Sequence, residues 1–344
     1  MTCSSSCGCG ASNNRENDSS PPAPVRLLDT TITLRDRLGA WRVRWRIGRS
    51  KYRVEPGLYR IGNPDTSSPV LVTANYRLTV DDVRSCLKRL NVWLLVLDTQ
   101  GVNVWCAAGK GTFGTAELIH RIEVTKLSRR VTHHRLVLPQ LGAVGVAAHE
   151  VTRATGFSVK YGPVLARDIP AYLAAGMKAT PAMRLVPFGW KERLTVVPVD
   201  AVGAWKLLLG ALLFATVLGV ARDGRVSLRL LADLVPLFGA FVSGVLVVPL
   251  LLPWLPFRAF ALKGVVAGAL WAIVSVWLVP MDWRNATGTV LLELALTTFL
   301  AMSFTGSTTF TNEAGARLEV RRALPAVLAA ALVGIVIRVV TTFV

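Results

Sequence analysis

Hydrophobic and polar positions repeat along this chain with periods of a strand, of a surface helix and of a membrane span, and the changes of period mark its organisation. Between residues 41 and 47, Trp41, Val43, Trp45 and Ile47 alternate with Arg42, Arg44 and Arg46, as in a strand. Short apolar runs at 58–61, 70–72, 93–97, 136–138, 158–161, 183–186 and 194–197 read the same way. Between them lie helical patterns. Thr79-Val80-Asp81-Asp82 resembles a capping box with Asp in place of Glu, and Val80, Val83, Cys86, Leu87 and Leu90 follow at helical spacing. Residues 115–124 and 142–154 also read as helices, and Asp168 caps another that runs to Ala175. Strands alternating with helices predict a Rossmann-like α/β domain, a mostly parallel sheet covered on both faces, whose ligands bind at the carboxyl ends of the strands.

From Trp205 onward the period is lost and apolar runs of about 18 to 25 residues recur, long enough to cross a bilayer. Five spans are predicted, at 205–221, 230–254, 259–279, 286–303 and 323–344. The division is therefore a tail at 1–29, an α/β domain at 30–199 and an all-α transmembrane domain of five helices at 200–344. Glu293 and Arg338 fall inside spans, where an ionised group is costly unless paired. Either the two pair with each other, or their spans end earlier and both reach water.

Composition sharpens this picture. Over 344 residues, 52% are hydrophobic and the mean hydropathy is +0.46, too apolar for an ordinary soluble protein. The net charge of +18 comes from scattered Arg and Lys without interleaved aromatic residues, which argues for anionic membrane lipid as the partner and against nucleic acid. The first residues, rich in Cys, Ser, Gly and Asn, hold no apolar stretch of a signal peptide. The expected location is thus the inner cell membrane, multi-pass, with the N-terminal domain in the cytoplasm and the C-terminus outside. Positive charge agrees in part, since Lys191, Arg193, Arg258, Arg317, Arg321 and Arg322 fall inside while Arg222, Arg225 and Arg229 fall outside.

Five cysteines in a cytoplasmic setting do not form a disulfide framework. Cys3, Cys7 and Cys9 lie in a tail expected to be disordered; they are incidental thiols or ligands for a soft metal ion such as mercury(II). Cys86 falls on the inner face of a helix and reads as core. Cys106 is different. It sits in Asn103-Val104-Trp105-Cys106-Ala107-Ala108-Gly109-Lys110-Gly111-Thr112-Phe113-Gly114-Thr115, just after the strand at 93–97, among small residues that leave backbone amides open to a large flat ligand. The plain alternative is a thiol packed beside Trp105. Gly109, Gly111 and Gly114 match the dinucleotide fingerprint, but Gln140 stands where an acid is expected, and Gly111 after Lys110 rules out a P-loop. His120, His133, His134 and His149 show no metal-site spacing.

The run from Asn103 to Gly111 resembles the cap motif of the HgcA family, membrane corrinoid proteins of microbial mercury methylation. Further segments similar to that family include Gly62-Asn63-Pro64, the stretch from Ser68 to Tyr76, Leu138-Pro139-Gln140-Leu141-Gly142, Tyr161-Gly162-Pro163 and Thr305-Gly306-Ser307-Thr308, so the resemblance runs from about Leu58 to the C-terminus. It implies a cobalamin-type corrinoid whose cobalt takes Cys106 as its axial ligand, and a methyltransferase that passes a methyl group from cobalt to inorganic mercury(II). It also implies the ferredoxin-like iron–sulfur protein HgcB as electron and mercury donor, and a methyl source related to methyltetrahydrofolate. The rest of the cap motif would shape the lower face of the corrinoid, with Thr73, Asn75, Gln140, Gly142 and Gly162 near its tail and Lys110 on a phosphate or an amide, or simply solvated. The domain is similar too to that of the corrinoid iron–sulfur protein of the acetyl-CoA pathway, which lacks this cysteine. A corrinoid methyl carrier of one-carbon metabolism with another acceptor is the alternative, and a transporter that senses a nucleotide is the second rival.

Overall fold

The computed structural model describes residues 25–344, so the expectations for the tail and its three cysteines lie outside the described residues. In chain order the elements are β1 (Arg26–Leu27), α1 (Leu34–Arg44), β2 (Gly57–Ile61), β3 (Val70–Ala74), α2 (Arg77–Cys86), β4 (Val92–Leu97), α3 (Val104–Lys110), α4 (Thr115–Val124), β5 (Arg135–Leu138), α5 (Ala148–Thr155), β6 (Ser158–Tyr161), α6 (Ile169–Ala174), α7 (Trp190–Asp223), α8 (Arg229–Val242), α9 (Val248–Leu251), α10 (Phe260–Leu278), α11 (Trp283–Ser303) and α12 (Glu313–Phe343). They fall into two compact units. One holds all six strands and ends at Lys178; the other joins Ile32–Arg53 to Ala179–Val344.

The first unit is a mixed six-stranded sheet in the order β1-β2-β4-β3-β5-β6. Only β2 and β4 pair antiparallel; the other four pairings are parallel. Every residue of β3 and β4 is buried, as expected of central strands covered on both faces, which read as unbroken apolar runs. From β3 the chain crosses through α2 to β4 on one side, and from β4 it returns through α3 and α4 to β5 on the other. The connections leaving β3 and β5 thus diverge, which makes the carboxyl ends of these neighbours a topological switch point.

Three predicted strands are helices or turns instead. Residues 41–47 belong to α1 and its end, because eight residues upstream Thr33 and Asp36 form a reciprocal capping box: the Thr33 amide donates to Asp36 at 3.0 Å and the Asp36 amide to the Thr33 hydroxyl at 3.2 Å. The alternation of apolar and basic residues imitated a strand. Residues 183–186 lie at a short turn and 194–197 inside α7, which carries Pro198 in its interior. The capping box expected at Thr79 does not form, since α2 starts earlier, with Tyr76 at its cap. The helix expected at 142–154 begins only at Ala148, after a turn at Gln140–Gly142.

In the second unit five helices are long and apolar enough to cross a membrane by length and composition: Trp190–Asp223, Arg229–Leu251, Phe260–Leu278, Trp283–Gly306 and Ala314–Phe343. The second of these passes through a π-helical turn at Ser243–Val247. Small residues let the helices approach: a methyl group on Gly264 would stand 2.6 Å from the Cα of Thr298. The expected pairing of Glu293 with Arg338 is not made. Arg338 Nη1 donates to Asn285 Oδ1 at 2.5 Å, whereas Glu293 is fully buried and neither carboxylate oxygen has a hydrogen-bond partner among the described residues. Asn285 precedes Glu293 by eight residues, about 12 Å along α11, so Arg338 meets the amide first.

Leu95→Ala, in the middle of β4 and without exposure, should cost about 2–5 kcal/mol. Val144→Ala, on the surface, should leave the thermal unfolding of the full chain in detergent where it is.

Candidate functional site

The site is built outward from Asn75, at the end of β3. Its buried side chain binds the loop 98–102 from both ends of the amide. Asn75 Nδ2 donates to Asp98 Oδ1 at 3.0 Å, and Asn75 Oδ1 accepts from the Thr99 hydroxyl at 2.9 Å, the Thr99 amide at 3.2 Å and the Gly101 amide at 2.9 Å. Gln100 and Gly101 are both left-handed there, which turns the chain tightly out of β4. Glu117 of α4 accepts from the Asp98 amide at 2.8 Å and from Arg121 at 2.7 Å, holding the loop from its other side.

This loop delivers Asn103, whose side chain caps α3 by accepting from the Cys106 amide at 3.0 Å. The cap motif is therefore a short helix and not an open run of amides; the Ala107 amide donates to the Asn103 carbonyl at 2.9 Å. The helix sorts the motif by face. Val104, Ala107 and Ala108 are buried in the core, while Trp105, Cys106, Gly109, Lys110 and Gly111 are exposed. Gly111 ends the helix in the left-handed conformation. Phe113 is fully buried, Thr112 donates weakly to the Ala107 carbonyl at 3.4 Å, and Thr115 accepts from the Ala147 amide at 2.8 Å.

Beside the exposed helix face lies a groove of about 240 Å³ at the switch point. Its floor is Leu71, Val72 and Thr73 of β3 with Val137 and Leu138 of β5, and Asn103, Val104 and Trp105 form one wall. The facing wall is Thr79, Asp82 and Val83 of α2 together with Pro163, Val164 and Ile169. Of the predicted site residues, Thr73, Asn103, Val104 and Trp105 meet at this groove; Cys106 and the exposed glycines adjoin Trp105 on α3. Asn75 lies beneath as a clamp. Gly142 and Gly162 are packed against protein: a methyl group on Gly142 would stand 2.5 Å from the Phe113 ring, and one on Gly162 3.0 Å from Val137 Cγ1. Gly114 is buried, and Gln140 lies in the turn after β5.

Thr79 and Asp82 were legible as a pair one turn apart, yet their spacing suggested a helix cap when it marks the side of α2 that lines the groove. The hydroxyls of Thr73 and Thr79 make no hydrogen bond among the described residues. Cys86 is half-buried, and burial pushes its thiol above the usual range. No group of His, Cys, Asp and Glu among the described residues is arranged to hold a metal ion. His133 Nε2 lies 2.9 Å from the Ser68 carbonyl, His134 packs on Phe157, and His120 and His149 are on the surface.

Residues 45–173 match the family model described as CO dehydrogenase/acetyl-CoA synthase delta subunit. The chain is 39% identical over 127 residues to the acetyl-CoA decarbonylase/synthase complex subunit gamma of Methanopyrus kandleri, covering 36% of this chain and 27% of that one. It is 33% identical over 127 residues to the corrinoid/iron-sulfur protein large subunit of Moorella thermoacetica, covering 36% and 28%. The chain thus spans about a quarter of the length of the curated relatives it matches. The matched stretch contains the groove, the clamp and α3, and the five long apolar helices lie outside it.

Two outcomes are expected. With iodoacetamide at about pH 8, peptide mass spectrometry should find Cys106 alkylated at least roughly tenfold faster than Cys86, because the thiolate reacts and burial keeps Cys86 protonated to higher pH; equal rates would contradict the exposure assigned to Cys106. Asn75→Ala strips four hydrogen bonds from the loop and should cost about 2–4 kcal/mol in unfolding, while Gln100→Ala should cost far less.

Proposed function

We propose that the strand-bearing unit holds a corrinoid at the β3/β5 switch point and acts as a methyl carrier, with the Cys106 thiolate as the protein's ligand to cobalt. One observation carries the reading: a solvent-facing thiol stands one residue from the wall of a groove at the site where sheets of this kind bind ligands. The relatives named above as a corrinoid/iron-sulfur protein and as subunits of acetyl-CoA decarbonylase/synthase complexes support the cofactor class.

The residues present fit such a group. A side chain added at Gly109 or Gly111 would meet no atom within 4 Å, so the outer face of α3 is open to a broad flat ligand beside the Trp105 ring. The free hydroxyls of Thr73 on the floor and Thr79 on the wall, with Asn103 and Asp82, give the groove polar groups for an amide- or phosphate-bearing tail. Lys110, exposed at the end of α3, can bind the same tail. Phe113, Gly114, Gly142 and Gly162 support α3 and the groove from the core side, with Thr112 and Thr115 holding the segment that follows. When bound, the corrinoid supplies the metal that carries the methyl group.

The chain's own part is to set the electron density at that metal. A thiolate is soft and strongly donating, and it is the form in which Cys106 would hold the metal. As a ligand, Cys106 would favour an electrophilic acceptor for the methyl group. Mercury(II) as substrate is therefore the finer reading, supported by the motif around Cys106; an acceptor of one-carbon metabolism is the reading closer to the named relatives. With mercury(II) as acceptor the methyl group would leave with its bonding pair, and a separate iron–sulfur protein such as HgcB would have to supply two electrons before the carrier could be methylated again. A donor related to methyltetrahydrofolate would restore the methyl group.

The full chain, purified without oxygen and loaded with cobalamin, should show a visible spectrum that changes on Cys106→Ala and is retained in Cys86→Ala. Identical spectra for wild type and Cys106→Ala would overturn the ligand. Methylmercury formed by cells with wild-type protein and lost with Cys106→Ala would select mercury(II) over a one-carbon acceptor.

A further inference from the structure

The helix α1 has two faces with different fates. Its inner face is fixed: Val43 is buried, the Tyr52 hydroxyl donates to the Asp36 carbonyl at 3.4 Å, and a methyl group on Gly39 would stand 2.5 Å from that hydroxyl. On the opposite side Leu34, Leu38, Trp41 and Trp45 fall within an arc of about 60°, and they are 72%, 56%, 57% and 38% exposed. Arg35 and Arg42 border this stripe on one flank, Arg37 and Arg44 on the other, and all four are exposed. None of the four has an ion-pair or hydrogen-bond partner through its side chain among the described residues. A contiguous apolar stripe rimmed by cations marks a surface that meets a partner.

We infer that α1 is an interfacial helix, and that its Leu34-Leu38-Trp41-Trp45 stripe docks into an anionic lipid surface. Three observations select lipid over another protein. The charge is complementary, since the arginines sit where snorkelling side chains reach phosphates while the stripe enters the acyl boundary. Trp41 and Trp45, with ring centroids 5.9 Å apart, are the side chains favoured at that depth. The helix also belongs to the same compact unit as the five long apolar helices. There Arg46 approaches Gly203 and shares a cavity with Asp200 and Lys206, next to Trp205 and Leu207, two of the apolar residues that α7 exposes. The helix that carries the stripe is thus tied to α7 beside apolar residues that α7 also exposes.

The test uses the full chain in nanodiscs of phosphatidylcholine alone or mixed with phosphatidylglycerol. Amide hydrogen exchange in α1 should slow by roughly tenfold in the anionic discs, and the difference should vanish with Arg35, Arg37, Arg42 and Arg44 all changed to Gln or at high salt. Brominated lipid should quench the wild-type tryptophan fluorescence by a share that Trp41→Phe with Trp45→Phe removes, a change that leaves the fold intact. Exchange that is equally slow in detergent and in both kinds of disc would mean that protein covers the stripe. Exchange equally fast in all three, with no quenching lost in the double variant, would mean that nothing covers it. Either result overturns the inference.

Discussion

The position of Cys106 depends on the amide of Asn75. Four hydrogen bonds from one buried side chain fix the loop leaving β4, and that loop places the Asn103 cap, which starts α3 with Cys106 in its first turn, facing solvent. An amide serves here because it donates at one end and accepts at the other, so it can hold a carboxylate and two backbone amides together. The sheet supplies the rest. Divergent connections from β3 and β5 open a groove at their carboxyl ends, and α3 forms its wall. The exposed thiol and the groove beside it are thus consequences of one clamp and one topological feature.

Much of this was legible in the chain. The apolar runs of β3 and β4 follow from burial on both faces, and the helix Thr115–Val124 and the strand Ser158–Tyr161 coincide with the spans read from periodicity. The cap motif was found by its residues, but its conformation was not: Ala107, Ala108 and Gly109 suggested an open loop, while the capping role of Asn103 shows only in three dimensions. Thr79 and Asp82 carried a helix-cap spacing that the actual start of α2 makes irrelevant. Alternating Trp and Arg at 41–46 imitated a strand, though Thr33 and Asp36 already held the signal of a helix. In each case a local pattern had two readings, and the residue at which the helix actually starts decided between them.

The helical unit follows other rules. Glycines replace larger side chains where helices meet, and polar groups are satisfied across helices, as with Arg338, Asn285 and Thr341. Glu293 and the Thr298 hydroxyl, both buried on α11, are exceptions without a hydrogen-bond partner among the described residues. At the other extreme α1 exposes apolar side chains and cations together. The exposed stripe fits the inferred contact with lipid, in line with five helices long and apolar enough to cross a membrane.

The central claim is a bond between the Cys106 sulfur and cobalt. X-ray absorption at the cobalt edge, measured on anaerobic full-length protein loaded with corrinoid, tests it most directly. A sulfur scatterer in the first coordination shell of the wild type, replaced by nitrogen or oxygen in Cys106→Ala, is the expected result; a shell of nitrogen and oxygen alone in both proteins would contradict it.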